Sequence, residues 1–354
     1  MSRQRLTVVL SQAQGKDPRK RSLEESVAAA LLMESGLDVS IVPYLYDLDA
    51  DHTGRLFLES VPGDMVVLGW MYPRAAYWLL DRCNIKGHYG DNQITPKAET
   101  DEDDEDAEPE PPKGIGAANL PDRSIYCLDL RDHSDHEVYV KEVRRIAAEC
   151  RERREAQPKP STNGHTTLVQ LGRVQREEAS FSPRPSGERG GGGEALQFTP
   201  EQLMQPPARR WYPVIDYSRC TNCMECLDFC LFGVYGVDKM DRILVEEQDN
   251  CKKGCPACSR VCPEQAIIFP DYKTPAIAGA PVGHIAGLKI DLTKLFGGGD
   301  ALAIAARERD RELVADGRNA VGLTVGIPKR QADKPKEAKD ELDKLMDALD
   351  DLEI

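Results

Sequence analysis

CTNCMECLDFC at residues 220–230 and CKKGCPACSRVCP at residues 251–263 decide how this chain is read. The first run is Cys220-x2-Cys223-x2-Cys226-x3-Cys230, and the second is Cys251-x3-Cys255-x2-Cys258-x3-Cys262, followed by Pro263. Eight of the 11 cysteines stand between positions 220 and 262, whereas Cys83, Cys127 and Cys150 are scattered singly. A disulfide framework belongs to small secreted domains and spreads its cysteines differently, so this clustering points to metal. Thiolates two residues apart can wrap a tight loop around several iron atoms. Zinc asks for four ligands, commonly as two separated C-x2-C pairs, so the triple C-x2-C-x2-C suits iron–sulfur better.

The arrangement resembles the bacterial-type ferredoxins with two [4Fe–4S] clusters, over residues 211–272 of 354. The resemblance implies a small α+β module that relays single electrons. It implies that Cys220, Cys223, Cys226 and Cys262 hold one cluster, and that Cys251, Cys255, Cys258 and Cys230 hold the second. The fourth cysteine of each run is expected at the start of a short helix, directed to the other cluster. The flanks agree: Pro213–Tyr217 and Arg242–Glu246 read as strands, and Pro263, Glu264, Gln265, Ala266, Ile267 match the family's Pro-x-x-Ala-Ile continuation. Two positions depart from the family. Lys252, Lys253 and Gly254 stand where two residues are usual, and Leu231 replaces proline after Cys230. Gly254 supplies the backbone freedom to absorb the added residue.

Outward from this module, residues 1–154 read as an α/β domain with a parallel sheet. Leu6–Leu10, Asp38–Val42, Asp64–Leu68 and Ser124–Leu130 are the expected strands. Ser22–Ser35, a stretch near Thr53–Ser60, Ala75–Arg82 and Asp135–Arg154 are the expected helices. Strands separated by helices argue for βαβ units. Continuous apolar runs such as Met65–Leu68 suit strands covered on both faces. Ser22 is the expected N-cap of the first helix, with Glu25 three residues on and Gly36 as its stop.

Three segments break the pattern. An acidic insertion at 96–120 carries Glu99, Asp101, Glu102, Asp103, Asp104, Glu105, Asp106, Glu108 and Glu110; it repels itself and is expected to be disordered. Residues 155–208, rich in Pro, Gly, Ser and Arg, read as a linker reaching about 40 Å, which lets the folded parts move unless they dock. Residues 273–300 are Gly/Pro-rich, residues 300–314 look helical, and Glu337–Ile354 carries a short leucine stripe at Leu342, Leu345, Leu349 and Leu352.

The formal net charge of −14 disfavours nonspecific binding to nucleic acid or an anionic membrane, and favours redox partners with a basic docking surface. No apolar run is long enough to span a bilayer and no secretory signal is evident, so the chain reads as cytoplasmic. Negative charge also disfavours adding an electron, which places both clusters at the reducing end; Lys252 and Lys253 are expected to raise one of them.

Weaker candidates lie in the α/β part. Gly15, Lys16, Arg19, Lys20 and Arg21 precede a helix and form a loop able to receive an anion, although an ordinary solvated loop explains them as well. Trp70, Tyr72, Arg74, Asp129, Arg131 and His133 follow the third and fourth expected strands, where open parallel sheets bind ligands, and form a candidate ligand or partner pocket. No catalytic residue is evident. The favoured expectation is an electron carrier whose α/β domain recognises a ligand or partner. The alternative is a reductase-type enzyme whose α/β domain binds a substrate or nucleotide and draws electrons from the clusters.

Overall fold

The computed structural model describes residues 5–94, 114–156, 207–280 and 301–326. The acidic block, the segment 157–206, residues 281–300 and the leucine stripe at 342–352 lie outside the described residues.

Strands β1 (Leu6–Ser11), β2 (Leu37–Val42), β3 (Met65–Gly69), β4 (His88–Gly90) and β5 (Ser124–Asp129) form one sheet in the order β2-β1-β3-β5-β4, and every pairing is parallel. Helices α1 (Pro18–Leu32), α2 (Thr53–Ser60), α3 (Pro73–Arg82) and α4 (His136–Ala156) connect and flank the strands. Every residue of β3 and β5 is buried, as strands covered on both faces require.

Helix α1 begins four residues before its expected N-cap. Asp17 caps it by accepting the Arg19 N–H at 3.0 Å, Pro18 occupies the first turn, and Ser22 lies inside the helix, where its carbonyl accepts the Ser26 hydroxyl. Pro at the first helical position outweighs the weaker serine signal. Strand β4 had no expectation: three residues with His88 and Tyr89 exposed show no apolar run, and only pairing to β5 makes them a strand.

The cysteine-rich part contains two short antiparallel pairs. Strand β6 (Val214–Ile215) pairs with β9 (Ile267–Ile268), and β7 (Tyr235–Val237) pairs with β8 (Ile243–Val245). Helices α5 (Glu225–Phe229), α6 (Ala257–Val261) and α7 (Pro275–Ala278) lie between or after them, and α8 (Ala301–Ala315) packs against α6.

Helix α3 joins the two parts. Ala75, Ala76, Tyr77, Trp78, Leu79 and Leu80 are all buried, so the helix has no solvent stripe, the pattern of a helix covered on every side. Its neighbours in one continuous core include Val67, Ile125 and Cys127 from the sheet and Tyr212, Val214 and Ile268 from the cysteine-rich part. Tyr46 and Tyr212 lock this seam: the Tyr212 N–H donates to the Tyr46 hydroxyl at 2.7 Å, the Tyr46 hydroxyl donates to the Tyr212 carbonyl, and the Tyr212 hydroxyl donates to the Tyr46 carbonyl at 3.0 Å. The parts therefore dock.

The tail of the acidic insertion also docks instead of remaining loose. Gly114, Ile115 and Gly116 donate backbone N–H groups to the carbonyls of Ser218, Cys220 and Tyr217 at 2.8–2.9 Å. A Cβ at Gly114 would lie 2.3 Å from the Ser218 backbone, so only glycine permits this approach. In the last turns of α4, Arg153 donates to the Cys150 sulfur at 3.4 Å.

Candidate functional site

The loop to Cys220 is built on Asp216. Its carboxylate accepts the Ser218 N–H at 2.9 Å and hydroxyl at 2.5 Å, while its carbonyl accepts the Cys220 N–H at 2.9 Å. Such an Asx turn reverses the chain without a regular element. Asn222 and Met224 then take left-handed backbone conformations at φ 59° and 62°, curling the loop into α5. Asn222 is fixed in turn, accepting the Ile243 N–H at 2.8 Å and donating to the Asp241 carbonyl at 2.7 Å.

Cys226 lies in the first turn of α5 and Cys230 at its C-cap; Cys258 lies within α6 and Cys262 at its C-cap. The fourth cysteine of each run thus ends a helix, where the sequence reading put it at a helix start. Each short helix occupies the gap between third and fourth cysteine, so its two thiols leave from opposite ends.

That placement brings residues far apart in sequence together. Cys220, Cys223, Cys226 and Cys262 line one small cavity, otherwise walled chiefly by Ile215, Met224, Ile243, Ala266 and Ile267. The Ala266 N–H donates to the Cys262 sulfur at 3.3 Å. Burial first, then the charges of Cys262, Cys220 and Cys223, push the Cys226 thiol well above its ordinary value. The Cys220 thiol is pushed up to about 11, chiefly by burial.

Burial first, then the charges of Cys230 and Cys251, push the Cys258 thiol well up, with Cys255 adding to them. Gly254 has φ +86° and open space around it, so the added residue of this loop is absorbed at a position that favours glycine. The Tyr235 hydroxyl donates to the Cys258 sulfur at 3.1 Å in a buried setting. The Lys252 ammonium pairs with Asp316 at 2.6 Å and its charge still opposes the burial that raises the Cys251 thiol. Helix α8 closes this side through Arg260–Glu308 at 2.8 Å and through Arg309, which is 1% exposed and lies over the Phe229 ring at 4.5 Å.

The donor chemistry fits iron–sulfur ligation: four cysteines line one cavity with largely apolar walls, and an N–H and an O–H donor are aimed at the Cys262 and Cys258 sulfurs. Among the described residues no three His, Cys, Asp or Glu side chains stand close enough to hold a single metal ion.

The six candidates of the α/β part make contacts with different neighbours. The Trp70 N–H donates to buried Glu24 at 2.8 Å and its ring lies under Lys20; Arg131 forks onto Asp129 and covers the Tyr72 ring at 4.1 Å. The His133 backbone is tied to the Tyr139 hydroxyl, and Arg74 turns away to Asp216. Of the basic loop, Arg21 pairs with Glu24 at 2.7 Å. Cys83 and Cys127 are buried, and burial raises both thiols. A wider cleft lies elsewhere, lined by Asp81, Arg82, Lys86, Tyr217 and Arg242. Sequence reasoning missed Tyr235 and Asp216. Asp216-x-Ser218 carried an Asx-turn signal, whereas nothing local marks Tyr235.

One cysteine-lined cavity lies on these short loops and helices, and part of the chain is ferredoxin-like. Sixty-six residues, 18% of the chain, are 48% identical to an uncharacterized ferredoxin of Methanocaldococcus jannaschii. The match covers 44% of that protein, so the chain spans less than half the length of this curated relative. No family model matches the chain, and no solved structure matches it. Among the described residues, no helix is long and apolar enough to cross a membrane.

Proposed function

We propose that this chain is an iron–sulfur electron carrier, with Cys220, Cys223, Cys226 and Cys262 holding one [4Fe–4S] cluster and Cys251, Cys255, Cys258 and Cys230 the other. The observation that carries this is the convergence of Cys262 with the first run on one apolar cavity, 32 positions after Cys230. Similarity to a ferredoxin supports it. When bound, such clusters supply one-electron chemistry at potentials set by charge, hydrogen bonding and solvent access.

The chain's own residues exclude water and hold the sulfurs. Ile215, Ile243 and Ile267 wall the first cavity, the Ala266 N–H stabilises negative charge on Cys262, and the Tyr235 O–H does so on Cys258. Cys220 and Cys223 are half-buried while Cys255 and Cys258 are buried, which makes the first site the more accessible to a redox partner. The net charge of −14 steers basic surfaces toward the chain. Trp70, Tyr72, Asp129 and Arg131 are engaged with residues of the same domain, which favours the carrier over an enzyme with a substrate pocket there.

An anaerobic reductive titration tests this. A carrier takes up about two electrons per chain reversibly and shows no turnover alone. Irreversible bleaching, or no reducible chromophore in anaerobically prepared protein, would rule it out.

A further inference from the structure

Arg74 belongs to the first turn of α3, in the α/β part, yet its guanidinium serves the cysteine-rich part. Its Nε donates to Asp216 Oδ2 at 2.5 Å and its Nη2 to the Gln265 carbonyl at 2.7 Å. Asp216 starts the turn that delivers Cys220, and Gln265 closes the turn after Cys262 by donating its N–H to the Cys262 carbonyl at 3.2 Å. One planar side chain therefore grips both segments that bring Cys220 and Cys262 to the same cavity. Arginine suits this task because its fork is rigid and its charge permanent.

Two further observations show that the grip is more than a surface tie. Asp216 is 1% exposed, and Arg74 Nη1 is buried with no hydrogen-bond partner among the described residues. A buried donor without a partner is costly, so its retention asks for a reason. After Asp216, the group whose negative charge favours the guanidinium is Cys262.

We infer that Arg74 is a positioning residue for the first cysteine set, clamping Asp216 and Gln265 and lending a fixed positive charge that makes the cluster held there easier to reduce. This rests on the iron–sulfur reading above. It also gives the α/β domain a physical hold on the redox behaviour of the module, through one helix terminus.

The test uses the full chain made without oxygen, as wild type, Arg74→Gln and Arg74→Lys, with iron analysis, far-UV circular dichroism and protein-film voltammetry. A Cys223→Ala variant assigns the wave of the first set by its loss. In Arg74→Gln that wave moves to more negative potential by about tenfold in its reduced-to-oxidised ratio, 59 mV for a one-electron couple. The other wave stays in place, and Arg74→Lys moves the first by less than half as much. Loss of half the iron from Arg74→Gln with unchanged circular dichroism also supports the clamp. Complete iron with both waves unmoved overturns the inference, as does an equal shift of both waves. If Arg74→Gln does not fold, Arg74→Lys decides: a shift of tenfold or more with the charge retained overturns it. Wild-type protein without iron would instead defeat the underlying cluster assignment.

Discussion

Replacing Tyr46 with phenylalanine removes one oxygen from the seam between the sheet and the cysteine-rich part. Tyr46 is fully buried and Tyr212 is 2% exposed, and their rings stand 4.5 Å apart. Phenylalanine keeps the ring contact, so the cost is polar. The lost hydroxyl is both the acceptor for the Tyr212 N–H and the donor to the Tyr212 carbonyl, and both backbone groups become orphans in a dry core. At about 1–3 kcal/mol for each buried group left unsatisfied, the expected loss is about 3 kcal/mol. Tyr212→Phe strands only the Tyr46 carbonyl and is expected to cost about 1 kcal/mol. Urea unfolding of anaerobically prepared protein, followed by far-UV circular dichroism, measures both. Thermal melts should show Tyr46→Phe lowered by about 6–12 °C. A Tyr46→Phe loss below about 0.5 kcal/mol would refute the claim that this seam is a welded interior.

Two other perturbations address the site and the loop after β5. Tyr235→Phe deletes the hydroxyl donor to the Cys258 sulfur, so voltammetry should show one wave about 20–40 mV more negative, a fraction of a charged hydrogen bond's worth, with the other unmoved. Burial and the neighbouring Asp129 push the Asp132 carboxyl up to about 6. Its charged form is thus disfavoured in the folded chain, and stability is lost as pH rises from about 4 to 6. Asp132→Asn is therefore expected to stabilise by about 1 kcal/mol at pH 7.5, after allowance for partial solvent screening, with the gain shrinking toward pH 5 in urea titrations.

What was legible in the sequence followed strong local signals. Met65–Leu68 announced a doubly covered strand by unbroken apolar residues, and Thr53–Ser60 emerged with its expected bounds. The cysteine runs pointed to a ferredoxin-like segment, which the 48% identity over 66 residues supports. The misses share a cause, dependence on contacts distant in sequence. His88–Gly90 is a strand only because β5 lies beside it, and the last residues of the insertion are placed only because the Ser218 and Cys220 carbonyls await their N–H groups. Arg74 looked like a pocket residue by its position after a strand, and became an ion-pair partner only once Asp216, 142 residues on, lay against it. The pairing of Lys252 with Asp316, just past α8, likewise had no local signal.

Iron and acid-labile sulfide determination on protein prepared without oxygen tests the central claim most directly. Two cubanes on eight thiolates require about eight iron and eight sulfide per chain, falling to about four of each when Cys258 is replaced by alanine. Zinc in place of iron, or undiminished iron and sulfide in that variant, would contradict it.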